Sequence, residues 1–469
     1  MKSLLIYLPF LLSLINGYLF VGFLFRKNMA SLSFLHFFLA GGLGLGISGQ
    51  VAFLNFILFG KFNALFIAGF HLILFIFLSL LCFCKARAVF SVPFQGNKFH
   101  LPHIAALVGI IVLFIPTWYI ANFYIYGGWD AWAVWNLKSR MLFLSDDWQR
   151  IFHPALWRSS PHYPLLLPFI NIWGWTFAGE TLPQLPTLTS LIFTFLTLGL
   201  LYFSLKKFIS PLIAFVSVSV IMTLPLFVRL ATSQYSDMVV GYYLSAGMFC
   251  LILATSLKME GFAVLAGLMT GFLSFTKNEG LLASVVLVCL GIPYLLRESP
   301  REERKRFLLS FLEAVFISHI PAIAFQIFYA PEDILMINGL TSREHPVSLL
   351  RLKTIFGYYL IELGLPVFNL MTMIKTNWDT SQIIPMKWHG VWIVFFIGLI
   401  AGGRRCFRPP IALIPLFLLF YLLAISGWYF INTWRPVDWW LSVTFARVMF
   451  SLLPLFIFWI FYTLWGEKS

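Results

Sequence analysis

Charged side chains are scarce in this sequence. Asp, Glu, Lys and Arg together make up 11% of the 469 residues, whereas 60% are hydrophobic and Phe alone occurs 53 times. So few polar residues cannot cover the surface of a soluble globular domain. Apolar runs of about 20 residues recur along the chain, and runs of this length predict transmembrane helices. The composition therefore predicts an all-α, integral membrane protein that crosses the bilayer many times.

Other absences narrow the possible functions. The net charge of +14 is not accompanied by an RGG, zinc-finger or basic-helix pattern, so no nucleic-acid partner is expected. The five cysteines have no metal-ligand spacing with nearby histidines. The first apolar run, 3–25, lacks a small-residue cleavage site, which favours a retained span over a signal peptide. Long linkers, low-complexity tracts and internal repeats are missing too.

Thirteen spans are expected, with the N-terminus outside and the C-terminus inside. They are placed at 3–25, 32–58, 62–84, 101–123, 185–205, 209–230, 238–257, 261–276, 281–296, 307–329, 389–402, 411–432 and 446–465. Two further apolar segments, 163–180 and 350–374, are left out, because the basic loops then all face the cytoplasm, as such loops do. Both segments are interpreted as interfacial or re-entrant helices on the opposite face.

This assignment divides the chain into three parts. Residues 1–100 are additional N-terminal transmembrane helices, 101–306 form a central module with the outward loop 124–184, and 307–469 form a C-terminal module with the outward loop 330–388. The two loops are the longest aqueous segments. Function is therefore expected at the outer face, between these loops.

Ionisable groups at membrane depth are costly and are therefore candidates for function. The stretch YGGWDAWAVWNLKSR (126–140) follows a predicted span and combines one acid and two basic residues with regularly spaced tryptophans: Asp130, Lys138, Arg140, Trp129, Trp132 and Trp135. If 129–140 is helical, the tryptophans and Lys138 share one stripe. The alternative is an ordinary aromatic belt with a solvated aspartate.

Two later stretches place polar residues at the same predicted face. His162 and Tyr163 open HYPLLLP (162–168), where proline restricts the direction of the chain, although a simple helix start is the alternative. Asp237 in TSQYSDMVVGYY (232–243) begins a span, and it could be no more than a helix cap.

Cations complete the candidate site. Lys277 and Glu279 in SFTKNEGLL (274–282) occupy a short outward turn, and they are either a local ion pair or an ammonium directed at an anionic head group. Arg447 lies at the outer end of the last span, where an arginine that extends towards the interface is the common alternative.

The order of these motifs resembles the GT-C superfamily of membrane glycosyltransferases, in particular the bacterial branch related to protein O-mannosyltransferases and aminoarabinose transferases. The matching stretches are GGWDAWAVWNLKSR (127–140), HYPLLLP (162–168), QYSDMVVGY (234–242), FTKNEGLL (275–282) and FARVMFSLLP (445–454). The resemblance covers about 100–296, and the C-terminal third in architecture only. It departs from the family in the first loop, where a second acid is usual, and in the three additional N-terminal spans.

The resemblance implies that the central module 101–306 transfers a sugar from a polyprenyl-phosphate donor to an acceptor hydroxyl on a glycan, lipid or protein. The site would face the periplasm from a bacterial inner membrane, and the transfer would invert the sugar. Such chemistry needs a base, cations for the phosphate and an apolar groove for the prenyl chain.

Each predicted site residue has a role in this scheme. Asp130 is the predicted general base, and Asp237 is predicted to orient the acceptor or the sugar. The substrate-binding candidates are Lys138, Arg140, His162, Tyr163, Lys277, Glu279, Arg447, Trp129 and Trp132, with Lys277 favoured as the phosphate ligand. No cofactor or metal is expected, although Asp130, Asp237 and Glu279 are possible ligands of a divalent cation.

Functions of other classes stay open. A flippase or transporter of lipid-linked sugar would place its charges near the middle of the bilayer, often with inverted repeats. An O-antigen ligase or polymerase-like enzyme usually carries paired arginines and a histidine in one large outward loop, for which Arg343 and His345 are candidates. A non-enzymatic assembly subunit is the third alternative.

Overall fold

The structure is a computed structural model that describes residues 2–26, 33–85, 101–342, 344–375, 388 and 390–466. All regular structure in these residues is helical, so the predicted all-α class is confirmed. The α-helices are α1 (Lys2–Leu5), α2 (Tyr7–Leu24), α3 (Ser33–Phe59), α4 (Ala64–Lys85), α5 (Leu101–Phe123), α6 (Asn136–Leu144), α7 (Leu166–Trp175), α8 (Gln184–Leu205), α9 (Pro211–Met222), α10 (Pro225–Thr232), α11 (Ser236–Leu257), α12 (Glu260–Ser274), α13 (Asn278–Glu298), α14 (Arg304–Phe328), α15 (Ile334–Thr341), α16 (Leu349–Lys375), α17 (Val391–Gly402), α18 (Leu413–Ile431) and α19 (Val437–Trp465).

Ten helices within the described residues are long and apolar enough to cross a bilayer, which makes the chain a multi-pass membrane protein. They are α2, α3, α4, α5, α8, α11, α13, α14, α18 and α19. Three of the thirteen expected spans account for the difference. The span expected at 209–230 is split into α9 and α10, which are bent by 72° at the break before Pro225. Those expected at 261–276 and 389–402 are α12 with 15 residues and α17 with 12.

The short helix α12 is held in the bundle by close packing against α14. Gly267 and Gly271 form a GxxxG pair on the side of α12 that faces α14. A Cβ atom at Gly267 would lie 2.5 Å from the carbonyl oxygen of Phe311, and one at Gly271 would lie 2.0 Å from the Ser318 hydroxyl. Only glycine allows this approach, so α12 is buried although it is too short to span unaided.

The two apolar segments left out of the span count differ in structure. Helix α7, within 163–180, has ten residues, all of them buried, and it packs against α3, α6 and α8. It is therefore an internal helix of the protein and not an interfacial one. Helix α16, within 350–374, is continuous over 27 residues, so no turn interrupts this segment, and its interfacial position stays a prediction. Its length of about 40 Å is enough to cross a bilayer.

Arg351, one of the charged residues of α16, has a structural role. Arg351 is buried and donates hydrogen bonds to the carbonyl oxygens of Tyr429 and Asn432, at the C-terminal end of α18. A cation at this position satisfies carbonyl groups that have no partner within their own helix. Arg351 therefore joins α16 to α18.

The N-terminal helices are integral to the bundle. Tyr242 and Tyr243 of α11 donate hydrogen bonds to the carbonyl oxygens of Phe38 and Gly42 in α3, at 2.6 and 2.9 Å. The indole of Trp173 in α7 donates to the Ser13 hydroxyl in α2 at 2.8 Å. These buried polar contacts fix α2 and α3 against α7 and α11.

Candidate functional site

Five of the predicted site residues form one connected group, which we call the ion-pair cluster: Asp130, Asp237, Lys277, Glu279 and Arg447. The Nη2 atom of Arg447 lies 2.7 Å from Oδ2 of Asp130 and 2.7 Å from Oδ2 of Asp237. The Nζ atom of Lys277 lies 3.2 Å from Oδ1 of Asp237 and 3.0 Å from Oε1 of Glu279. Asp237 thus bridges the two cations, and Arg447 bridges two of the acids.

Four of the five residues lie at helix starts, and Arg447 lies within α19. Asp237 and Glu279 lie in the first turns of α11 and α13, where the helix dipole favours negative charge. Lys277 is the residue before α13, and Arg447 projects from α19. The cluster therefore lies at one end of the helical bundle, with acids and cations from four separate segments of the chain.

The glycines of the YGGWD stretch allow Asp130 to reach the cluster. Gly127 has a φ of +66°, a conformation that side chains other than glycine rarely adopt. A Cβ atom at Gly128 would lie 2.3 Å from the Tyr235 hydroxyl, and the Gly128 N–H donates to the Ser233 carbonyl at 3.0 Å. The loop before Asp130 thus passes directly over the segment that begins α11.

The cluster is buried and carries an excess of negative charge. Side-chain exposure ranges from 5% for Asp237 to 23% for Glu279. Burial opposes the charge on Lys277, but the Asp237 and Glu279 carboxylates outweigh burial and raise its pKa above the usual lysine range. The ammonium is therefore charged at neutral pH, and the three acids and two cations together leave one negative charge.

One acid and one cation of the cluster have distinctive surroundings. Oε2 of Glu279 is buried and accepts no hydrogen bond from the described residues. The Arg447 guanidinium carbon lies 4.7 Å from the centre of the Tyr235 ring, an arrangement in which the ring shields one face of the cation. A buried acceptor without a donor is unusual, and a bound hydroxyl group would satisfy it.

Lys138, His162 and Tyr163 form a second group beside the cluster. Lys138 is fully buried, and its Nζ atom donates to the Ser160 carbonyl at 2.6 Å instead of joining the ion-pair cluster. Burial lowers the pKa of Lys138 to about 7. His162 lies 3.3 Å from Asp333 through Nε2, and burial lowers its pKa to about 4 in spite of that carboxylate.

Tyr163 is the member of the second group that is influenced by the charges of the ion-pair cluster. Burial and then the nearby Glu279 charge raise the pKa of Tyr163 well above its usual range, so the phenol stays protonated. Its ring stacks on the buried Trp135 with centroids 5.8 Å apart. The structure thus places Tyr163 at the site and leaves its hydroxyl available as a hydrogen-bond donor.

The expected tryptophan stripe does not form. Residues Ala131–Trp135 adopt a π-helical turn, which widens the helix and changes the side-chain period. Trp129 and Trp132 are exposed by 52% and 55% and contact each other edge to face, whereas Trp135 is buried. Arg140 is exposed and makes no ion pair with the described residues. Trp129, Trp132 and Arg140 are therefore exposed and lie outside the ion-pair cluster.

Sequence reasoning missed several residues that shape the site. Gln234 has a φ of +59°, and its side chain donates to the Ile125 carbonyl at 2.9 Å and accepts from Asn136 at 2.8 Å. Gln234 therefore fastens the two sides of the Asp130 loop to the start of α11. Asp333 was missed as well, because it follows α14 in a stretch without any recognisable spacing. The sequence signal for Gln234 was its position three residues before the predicted Asp237.

Possible metal ligands are also limited. Within the ranges that the structure describes, no group of three or more His, Cys, Asp and Glu side chains is arranged to hold a metal ion. Metal independence stays a prediction. Arg343 lies outside the described residues, so the arginine–histidine pair of the ligase alternative has no structural description.

No protein-family model, curated protein or solved structure matches the chain.

Proposed function

We propose that the chain is a GT-C-type membrane glycosyltransferase that moves a sugar from a polyprenyl-phosphate donor to an acceptor hydroxyl. The site would face the periplasm from a bacterial inner membrane. The observation that carries this proposal is the ion-pair cluster, in which acids and cations from four distant segments meet at one end of the bundle. Sugar transfer from a lipid phosphate requires a base and phosphate-binding cations, and the cluster contains both.

Arg447 and Lys277 are the proposed phosphate ligands. Arg447 contacts the acids through Nε and Nη2, and Lys277 through two of its three N–H groups. In the described part of the chain, Nη1 of Arg447 and the third N–H of Lys277 have no partner and can donate to phosphate oxygens. Negative charge grows on the phosphate as its bond to the sugar breaks, so fixed cations stabilise the transition state more than the ground state.

Asp130 is the proposed general base. Its Oδ2 atom contacts Arg447, and Oδ1 makes no ion pair with the described residues. The acceptor oxygen attacks the anomeric carbon while its proton passes to Asp130. The bond between that carbon and the phosphate oxygen breaks, and polyprenyl phosphate leaves. A single displacement of this kind inverts the anomeric configuration.

The other two acids have supporting roles. Asp237 contacts Lys277 through Oδ1 and Arg447 through Oδ2, so it fixes both cations before the donor binds. The unpaired Oε2 of Glu279 is suited to accept a hydrogen bond from a sugar hydroxyl. Such preorganisation avoids rearrangement during the reaction.

The charge of the site favours a monophosphate donor. Because three acids and two cations leave one negative charge, a phosphodiester with one charge is repelled less than a diphosphate with two. This argues against the ligase-like alternative if that enzyme uses a diphosphate donor. The location of the cluster at helix ends argues against a carrier, whose charges lie near the bilayer midplane.

Transfer from radiolabelled undecaprenyl-phosphate sugars in proteoliposomes tests the proposal. Wild-type protein should cleave the label from the lipid, and Asp130→Asn should lower the rate by roughly 10²- to 10⁴-fold without weakening donor binding. Asp146→Asn is the matched control, because Asp146 is an exposed acid of the same loop. A carrier would move the lipid across the bilayer uncleaved, and near wild-type turnover in Asp130→Asn would refute the assigned role.

A further inference from the structure

A charged cavity lies at the opposite end of the bundle from the ion-pair cluster. It has a volume of about 480 Å³ and lies where α2 ends and where α12 and α14 begin. Helix α11 runs from Asp237 in the cluster to Leu257 beside the cavity. Its 22 residues extend about 33 Å, which matches the hydrocarbon thickness of a bilayer. The cavity therefore lies at the other membrane surface.

The charged residues that line this cavity are mostly cations. Arg26, Lys258 and Arg306 line it together with one acid, Glu260. Arg306 lies 2.9 Å from Glu260 and 3.0 Å from Glu303, whereas Lys258 makes no ion pair within the described ranges. Three cations and these two acids leave one positive charge, so the cavity is complementary to an anion, in contrast to the ion-pair cluster.

The rest of the lining is apolar. Five apolar residues belong to it, and we call them the apolar wall: Phe23, Leu24, Phe25, Met259 and Val264. The ring of Phe25 packs on Phe262 of α12 with centroids 4.7 Å apart, which fixes this part of the wall. The cavity thus presents both cationic groups and apolar side chains, and an amphiphile carries the same two chemistries.

We propose that this cavity binds the phosphate head group of an anionic glycerophospholipid from the adjacent leaflet. Basic pockets between transmembrane helices at a membrane surface bind such head groups. A lipid places its phosphate on the cations and the start of its acyl chains along the apolar wall. A free phosphate would leave the apolar wall exposed to water, whereas a lipid contacts both the cations and the wall. The site is separate from the ion-pair cluster, and it does not depend on sugar transfer.

Native mass spectrometry of the purified full-length protein, with phosphatidylglycerol and phosphatidylcholine in equal amounts, tests this site. Wild type should retain phosphatidylglycerol preferentially. Arg26→Gln combined with Lys258→Asn should weaken retention about 30-fold, since each basic group near an anionic lipid contributes about fivefold. Asn suits position 258 because the φ there is +53°. Arg301→Gln combined with Lys305→Gln removes the same charge from exposed positions outside the cavity and should retain the lipid.

Each outcome decides the proposal. Loss of phosphatidylglycerol in the cavity variant alone, with an unchanged unfolding midpoint, supports it. Equal retention by the cavity variant and the control variant overturns it. If the cavity variant unfolds early, Lys258→Asn alone should still weaken retention about fivefold. Inorganic phosphate at millimolar concentration should not displace the lipid, and displacement would assign the cavity to a free phosphate instead.

Discussion

Replacement of Arg447 by Met tests whether the ion-pair cluster acts as one energetic unit. The change removes the guanidinium that lies 2.7 Å from both Asp130 and Asp237. Asp237, which is 5% exposed, keeps Lys277 at 3.2 Å as its cation. Asp130 loses its ion pair altogether and must be solvated by water in a partly buried position.

The expected size of the effect follows from these contacts. Removal of one partner from a buried ion pair costs about 3–5 kcal/mol, and the lower end applies because Lys277 remains and Asp130 is partly hydrated. We therefore expect Arg447→Met to lower the free energy of unfolding by about 3 kcal/mol. The charge of the cluster falls from −1 to −2 in this variant, since three acids then face one cation. Asp237→Asn added to it restores −1 and should recover about 1–2 kcal/mol.

Unfolding in mixed micelles by titration with SDS measures these differences. Arg435→Met is the matched control, because the Arg435 guanidinium lies over the Trp434 and Trp439 rings at 4.6 and 5.8 Å and makes no ion pair within the described ranges. Its loss should cost about 0.5–1 kcal/mol. The reasoning is refuted if Arg447→Met is no less stable than Arg435→Met, or if Asp237→Asn recovers nothing.

Three further predictions concern ligands and pH. Lys277→Met should weaken binding of labelled undecaprenyl phosphate about 10- to 100-fold, because one charge-assisted hydrogen bond is lost. The control Lys61→Met, at an exposed turn, should leave binding unchanged. Equal affinities of the two variants would contradict the phosphate role of Lys277. Burial lowers the pKa of Lys138 from 10.5 to about 7, so the unfolded state binds more protons between these values and wild-type stability should rise with pH across that window. Across this window, the free energy of unfolding of the wild type should rise by about 3–5 kcal/mol relative to that of Lys138→Met. Parallel pH profiles of the two proteins would count against this prediction. EDTA should leave sugar transfer unchanged, and loss of transfer that manganese or magnesium restores would show a metal requirement.

The meeting of the charged residues was predictable from sequence. Asp237, Lys277 and Arg447 each lie near the end of an apolar run, and alternation of the spans places these ends on one side of the membrane. Asp130 follows the end of another span and falls on that same side. The pairing within the cluster was not predictable, because it depends on how α11, α13 and α19 pack.

The local geometry of the Asp130 loop was not predictable either. A spacing of three suggested one helical stripe for Trp129, Trp132 and Trp135, but the π-helical turn separates the first two from the third. That turn is fixed by tertiary contacts such as the hydrogen bond from Asn136 to Gln234. A periodicity argument assumes a regular helix and fails where the helix is irregular.

Hydropathy alone does not fix the number of spans, and thirteen stays a prediction. Hydropathy cannot distinguish a lipid-facing helix from a short helix buried by its neighbours, as the GxxxG-packed α12 demonstrates. Charges in α16 suggested an interfacial or re-entrant helix, and one of them, Arg351, joins the end of α18 within the protein. In both cases burial in protein takes the place of burial in lipid.

Cryo-electron microscopy of the protein with bound undecaprenyl phosphate tests the central claim most directly. The account predicts density for the phosphate at about 2.7–3.2 Å from Nη1 of Arg447 and from Nζ of Lys277, with the prenyl chain directed into the bilayer. Phosphate density confined to another part of the molecule, with the ion pairs of Arg447 and Lys277 unchanged, would contradict it.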